Sequence, residues 1–447
     1  MTQFLAIDLG TTFLKGAVLN LEARTVAHVR RSPVPEPIAG LPPGHCELDP
    51  ATLLASVRDL IGALLADAPE STGLVMSSQM HCVVLADDAG RPRSNIVTWK
   101  DGRALEPSPN GGTVFDDLLR AVAPEDQARV GRELRVGTPA ATLFWLGQRG
   151  LLRAGDTPLS LPDFVFADLC GTEPATHATN AAAHGLFDLA HGDWHRDLIR
   201  RLGLDSLRWP AIRPLGAVVG IAEIGGRRLT CYAPVGDQQA ALAGVGVRDR
   251  ELSINISTGS QIGLTGRDVP PGEYQVRPHF DGRQLRTIVG VPAGRSLGVL
   301  VDLLTELGRT AGVPVPDPWE AIAAAVERAG EPELDVNLAF FASAVGDRGQ
   351  IGNIREGNLT VGGLFAAAFR GMADNYARFA VRLSPNREWD RVVFSGGVAA
   401  KFPRLRREIL RALGDPPARV SESDEDVLNG LLAVARVCAG LSATVDL

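Results

Sequence analysis

The segment Ile7–Lys15, IDLGTTFLK, constrains this chain more than any other. Apolar Phe4, Ala6 and Val18 flank it, and Gly10-Thr11-Thr12 stands where a tight β-hairpin needs a glycine and small hydroxyls. Such a hairpin can hold phosphate. Gly10 lets the backbone approach a ligand with no Cβ in the way, and Thr11 and Thr12 offer hydroxyl and N–H donors. Asp8 supplies a hard oxygen for Mg²⁺, and Lys15 returns as a point positive charge. Taken alone, the pattern is also that of an ordinary edge hairpin with a glycine turn. A second copy shifts the balance. Leu252–Leu264, LSINISTGSQIGL, repeats strand, small polar turn (Ser257-Thr258-Gly259-Ser260) and strand. Two such hairpins, each early in one half of the chain, predict an internal duplication with a nucleotide clamped between the halves.

A chain of 447 residues is too long for one core, so two domains are expected, 1–245 and 246–447. A net charge of −7 with no long basic run excludes nucleic acid and anionic membrane surfaces as partners. No basic leader precedes an apolar stretch, because Asp8 interrupts it, and no uncharged apolar run approaches the ~18 residues of a membrane span. A cytoplasmic protein, monomer or homodimer, is expected. The five cysteines are scattered and lack CxxC spacing, which suits buried small hydrophobes rather than a zinc site or a disulfide framework. Only three of the 45 basic residues are lysine, at Lys15, Lys100 and Lys401, where a compact ammonium is favoured over a planar fork.

Along the chain, a proline-rich loop (Ser32 to Pro43) leads to an expected helix over 51–66, with Leu53, Val57, Leu60, Ile61 and Leu64 on one face. A buried strand, Gly73 to Ser77, then ends in Ser78-Gln79-Met80-His81, at the kind of strand end where open α/β sheets place ligands. A satisfied structural histidine is the other reading of His81. Trp99, followed by Asp101 and Arg103, suits a polyol, with an aromatic wall for its C–H face and charged groups for its hydroxyls; a surface ion pair beside a core Trp is the alternative. Residues 115–194 read as mainly helical, and 176–189 is rich in small side chains, which means close packing or room for a ligand.

Gly236-Asp237-Gln238 opens an expected helix over 238–246, where a carboxylate can point into a cleft or serve as an ordinary N-cap. Further helices are expected at 295–312, 319–329, 361–383 and 404–414. A strand over 392–395 runs into Gly396-Gly397, which suits a flat adenine or ribose against backbone or plain strand-to-helix packing. The last helix, about 424–439, carries Gly430 mid-helix at a cost of ~1 kcal/mol, which argues for close approach to something.

In this order the motifs resemble those of the FGGY carbohydrate kinases, over nearly the whole chain. Within that family NIVTWKDGR (95–103), ATLFWL (141–146), PDFVFADLCG (162–171), TNAAAHGLFDL (179–189) and NISTGSQ (255–261) are most similar to the sedoheptulose kinases. One stretch departs: ASAVGDRG (342–349) keeps only the ending of a proline-containing stretch that ends in Gly-Glu-Arg in many relatives. The resemblance implies an α/β, two-domain actin/Hsp70-like (ribonuclease H-like) ATPase fold with an interdomain cleft, ATP and Mg²⁺ as cofactors, and a small-molecule sugar as partner. It implies Asp237 as general base on a primary hydroxyl, with a near-normal pKa, and Asp8 together with Asp237 as metal ligands. Gly10, Thr11, Thr12, Lys15, Thr258, Gly259 and Ser260 would hold phosphates, and Gly396, Gly397 and Lys401 the nucleoside. Gln79, Met80, His81, Trp99, Asp101 and Gln238 would hold the sugar. If Pro139-Ala140-Ala141 and Ala181-Ala182-Ala183 line the pocket wall, they leave room for a seven-carbon ketose. Kinases for xylulose, ribulose or glycerol, and an ATPase of the same superfold without a sugar, are the alternatives.

Overall fold

The turn at Gly10 closes as its composition requires. In the computed structural model, which describes residues 2–270, 272–313 and 316–446, Gly10 N–H donates to Phe13 O at 3.1 Å. A Cβ on Gly10 would lie 2.7 Å from that same oxygen, so no other residue fits. The strands Gln3–Leu9 and Phe13–Asn20 pair antiparallel and set Asp8 opposite Lys15. Side chains alternate between the faces of a strand, and here the two faces enter two cores. Leu5, Ile7 and Leu9 pack with Leu53, Val57, Ile61 and Leu64 of the helix Pro50–Asp67. Phe4 and Ala6 pack with Leu428, Leu431 and Leu432 of the helix Asp426–Cys438.

The sheet built on this hairpin runs Val218–Ile224, Arg227–Tyr232, Gly73–Ser78, Gln3–Leu9, Phe13–Asn20, Thr25–Pro33, and Val235–Gly236 also pairs with Gly73–Ser78. It belongs to the first of two units. That unit comprises Met1–Gly246, Val276–Gln284 and Glu425–Leu447; the second comprises Val247–Gln275 and Leu285–Asp424. The chain thus returns to the first unit twice beyond residue 246, where the sequence reading places a single break. The second return is explained by glycine: a Cβ on Gly430 would lie 1.8 Å from Ala240 O, and one on Gly244 1.8 Å from Asp426 O. The helices Asp237–Gly244 and Asp426–Cys438 therefore touch backbone to backbone, which is the close approach Gly430 implies.

The second unit repeats the local topology. Glu251–Ile256 is antiparallel to Ser260–Gly266 and parallel to Arg391–Ser395, as Gln3–Leu9 is antiparallel to Phe13–Asn20 and parallel to Gly73–Ser78. Its long helix, Val361–Leu383, is capped by Thr360, whose hydroxyl accepts from Gly363 N–H at 3.1 Å.

Two expectations fail. Residues 115–194 form short helices (Val114–Arg120, Pro124–Arg129, Pro139–Gln148, Leu161–Cys170, Ala178–Ala182) separated by short strands such as Thr157–Leu159 and Ala175–His177. Prolines at 124, 139 and 162 start helices, and Gly131, Gly137, Gly150 and Gly171 take positive φ between them. The small residues are not a pocket wall. Ala140, Ala141, Ala181 and Ala182 lie in a core with Leu143, Leu186 and Trp194, so their size serves close packing. Among the described residues no helix is long and apolar enough to cross a membrane.

Candidate active site

Strand register assembles the centre of the site. Asp8 stands opposite Ser77 and Leu9 opposite Ser78 in one parallel ladder; Gly236 stands opposite Ser78 in the next. Asp237, one residue on, opens the helix Asp237–Gly244, so the two carboxylates stand at the C-terminal ends of the two parallel strands that flank Gly73–Ser78. Ser77 Oγ donates to Asp8 Oδ1 at 2.9 Å, and Gln238 N–H donates to Asp237 Oδ1 at 2.7 Å. Burial pushes both acids up. Asp8 rises to about 7, by desolvation first and then by the Asp237 charge; desolvation pushes Asp237 up to about 6, against the near-normal value expected from sequence. Asp237 therefore ionises first, and its charge opposes ionisation of Asp8.

The pair fits a hard divalent cation. Mg²⁺ is commonly held by one or two carboxylates plus waters and phosphate oxygens, and among the described residues no cluster of three or more His, Cys, Asp or Glu offers a closed cage instead. The linkage has a definite sign. An acid whose folded pKa is raised costs stability when ionised, fully so above about pH 7 for Asp8, and the cost disappears as pH falls towards 3.8. Without divalent cation, Asp8→Asn should raise the unfolding midpoint at pH 8, and the gain should shrink steadily down to pH 5. Added Mg²⁺ should stabilise the wild type at pH 8 and leave Asp8→Asn unmoved. An Asp8→Asn midpoint at or below the wild type at pH 8 contradicts this.

Gln79 ties the turn to the aromatic wall. Its Nε2 donates to Gly10 O at 3.1 Å, while its Oε1 accepts from Trp99 Nε1 at 3.0 Å and from Thr11 Oγ1 at 3.3 Å. Both ends of the carboxamide are thus engaged in holding the turn beside Trp99, a residue left 41% exposed. Asp101 is corrected outright as a sugar ligand. Its carboxylate is fully buried and accepts from Cys46 N–H at 2.7 Å and from Arg103 Nε at 2.8 Å, so it braces the loop.

His81 takes a left-handed φ of 69°, unusual for a residue with a side chain, and burial pushes its imidazole down to about 4, so it is neutral. Its Nε2 lies 3.2 Å from Glu133 Oε2 and 3.1 Å from Arg135 Nη2. Glu133 is completely buried; Arg277 Nε and Nη2 reach its two oxygens at 2.6 and 3.0 Å, and the arginines hold it far below the usual carboxylate range. Arg277 Nη1 donates to Gln238 Oε1 and lies 3.5 Å from Met80 Sδ. Met80, His81 and Gln238 are thereby brought to one place. The backbone explains why Arg277 reaches them: Val276 N–H donates to Gly131 O at 3.0 Å, and a Cβ on Gly131 would lie 2.0 Å from Val276 O.

The cationic and second-unit candidates divide. Lys15 Nζ lies 2.8 Å from Glu425 Oε2, and Arg31 also pairs with that carboxylate, so Lys15 is a neutralised partner rather than a bare charge. Thr12, Thr258 and Gly259 are exposed at their turns. The Ser260 hydroxyl is corrected as a phosphate donor, being buried and used on Asn255 O at 2.5 Å and Tyr376 OH at 2.6 Å. Gly396 has φ 89° and would place a Cβ 2.5 Å from Ile256 O, whereas Gly397 faces open space. Lys401 is exposed, 3.5 Å from Asp317 Oδ2. Sequence reasoning misses Glu133, Arg135, Arg277 and Glu425; the acid between two arginines in Arg132-Glu133-Leu134-Arg135 is the one local signal that could have found the first two.

A carboxylate pair at parallel strand ends, beside a glycine-closed polar turn, suits phosphoryl transfer, which needs a positioned nucleophile and neutralised phosphates. The chain belongs to the FGGY family of carbohydrate kinases, whose N-terminal domain matches residues 3–244. It is 25% identical to human sedoheptulokinase over 97% of both chains, and 29% identical to glycerol kinase of Albidiferax ferrireducens over 55% of this chain and 50% of that one. The xylulose kinase structure from Lactobacillus acidophilus superposes with a TM-score of 0.84 at 18% identity, covering 100% of this chain and 91% of the other. It is a carbohydrate kinase with a sugar as substrate and, as the family implies, ATP as phosphoryl donor.

Proposed function

We propose that the protein transfers the γ-phosphoryl group of ATP to the C7 primary hydroxyl of sedoheptulose, with Asp237 as general base. The attacking oxygen forms a bond to phosphorus, the bond to the ADP oxygen breaks, and the hydroxyl proton passes to Asp237. The observation that carries the base is placement: Asp237 alone joins the acidic pair at the strand ends to Gln238, its neighbour in the Met80, His81 and Arg277 cluster. A pKa near 6 leaves it ionised at neutral pH yet basic enough to take a proton late in transfer. Mg²⁺ held by Asp8 and Asp237 would neutralise phosphate charge. Thr11, Thr12, Thr258 and Gly259 would donate to phosphates, and Gly396 and Gly397 would lie against the nucleoside.

The choice of sedoheptulose rests on the resemblance to sedoheptulokinases along nearly the full chain; the alanine segments, packed in a core, give it no support. Glycerol is the second reading, favoured by higher identity over about half the chain. ADP release with sedoheptulose, xylulose, ribulose, fructose and glycerol under identical Mg·ATP separates them. Sedoheptulose should exceed the five-carbon ketoses by about tenfold to a hundredfold in kcat/KM, as two added hydroxymethyl groups would contribute. A preference for xylulose or glycerol overturns the substrate.

A further inference from the structure

We propose that a cavity of about 320 Å³ in the first unit binds a zwitterionic α-amino acid with an apolar side chain, its ammonium against Asp156 and its carboxylate against Arg153. Ligand pockets run from about 300 to 1,000 Å³, so this one suits a small molecule. None of Asp8, Gln79, His81, Trp99 or Asp237 lines it. Its apolar lining comes from Val83, Leu85, Val97 and Leu146, with the exposed Leu151. The other charged groups that line it have partners: Glu47 accepts from Asn95 Nδ2 at 2.7 Å and pairs with Arg103, and Arg93 Nη2 lies 3.7 Å from Asp87 Oδ2. Asp156 and Arg153 differ. Asp156 is 6% exposed, yet among the described residues neither its carboxylate nor the Arg153 guanidinium makes a hydrogen bond or an ion pair. The two stand on one turn, closed by Asp156 N–H donating to Arg153 O at 3.1 Å, and both line the cavity without pairing with each other. Arg208 N–H donates to Asp156 O at 3.0 Å, so the backbone is held on that side too. A buried carboxylate without a partner is costly, and a ligand that supplies an ammonium removes the cost. A plain anion would meet Asp156, and a plain cation would meet Arg153 and Arg93. An amino acid carries both charges at one end and presents its side chain to the apolar lining.

Calorimetric titration of the whole protein with L-leucine, leucinamide, N-acetyl-leucine and glycine tests this. Leucine should bind at a single site with a Kd of about 1 mM or tighter. Leucinamide lacks the carboxylate, N-acetyl-leucine the ammonium and glycine the side chain, so each should bind at least about tenfold more weakly. Asp156→Asn is nearly isosteric and should weaken leucine about tenfold while changing N-acetyl-leucine by less than about twofold. Arg153→Gln should weaken leucine by a similar factor and change leucinamide by less than about twofold. Without ligand, the unfolding midpoint of Asp156→Asn should equal or exceed that of the wild type, because a buried charge without a partner is removed. A midpoint below the wild type gives the carboxylate a structural role and overturns the proposal. So does the absence of saturable leucine binding, leucinamide or glycine binding as tightly as leucine, or a leucine Kd that neither substitution moves. Should Asp156→Asn fail to fold, Arg153→Gln, at an exposed position, decides alone.

Discussion

Asp237→Asn should lower kcat by about a hundredfold or more while the sugar KM changes little. The two side chains are nearly isosteric, and Asn Oδ1 can still accept from Gln238 N–H, so the helix start is preserved. What disappears is the proton acceptor. The sign of the pH dependence follows from burial: with Asp237 pushed up to about 6, free-enzyme kcat/KM in the wild type should fall as pH drops through 6, because the protonated acid cannot take another proton. Residual activity in Asp237→Asn should lack that acidic limb. Phosphoryl transfer passes through a loose transition state in which the hydroxyl loses its proton late. A fall of less than tenfold, with the limb retained, would therefore remove Asp237 as the base and leave it a positioning role. The KM for sugar separates base from binding group, since an acceptor ligand would raise it.

What was legible in the sequence is what neighbouring residues decide among themselves. Gly10 closes a turn through its own Phe13 carbonyl, and the alternation of Phe4 to Leu9 divides that strand between two cores. Asp8 is legible beside the glycine turn of its hairpin and Asp237 at the glycine-preceded start of an expected helix. Long-range partners were not legible. Glu133 meets Arg277 across 144 residues and Lys15 meets Glu425 across 410, and nothing in either local pattern names the other. Local chemistry also misassigned hydroxyls and acids whose partners lie elsewhere: Ser260 is spent on Tyr376, and Asp101 on Cys46 and Arg103. The alanine-rich segments show a further limit, since small side chains signal closeness without saying whether a ligand or a helix is close.

Gly430 separates those two meanings of a small residue, and Gly430→Ala should be among the most damaging single-methyl changes in the first unit. Alanine favours a helix over glycine by roughly 1 kcal/mol, so propensity alone predicts a gain. Against it stands the Ala240 carbonyl, with oxygen 1.8 Å and carbon 2.5 Å from the added Cβ. Neither atom belongs to a side chain that can turn away. The helices Asp237–Gly244 and Asp426–Cys438 must move apart, which unpacks Leu428, Leu431 and Leu432 from Phe4 and Ala6. Overpacking of this kind costs about 3 kcal/mol or more once the propensity gain is offset. For a unit of this size that lowers the unfolding midpoint by about 6 °C or more. Because Asp237 opens one of the two helices, kcat should fall along with stability. Gly62→Ala is the control: it lies on the helix Pro50–Asp67 with no atom within 4 Å of the added methyl, and should stabilise by about 0.5–1 kcal/mol. Calorimetry on both variants decides; a Gly430→Ala midpoint equal to the wild type would mean that the two helices are not in backbone contact.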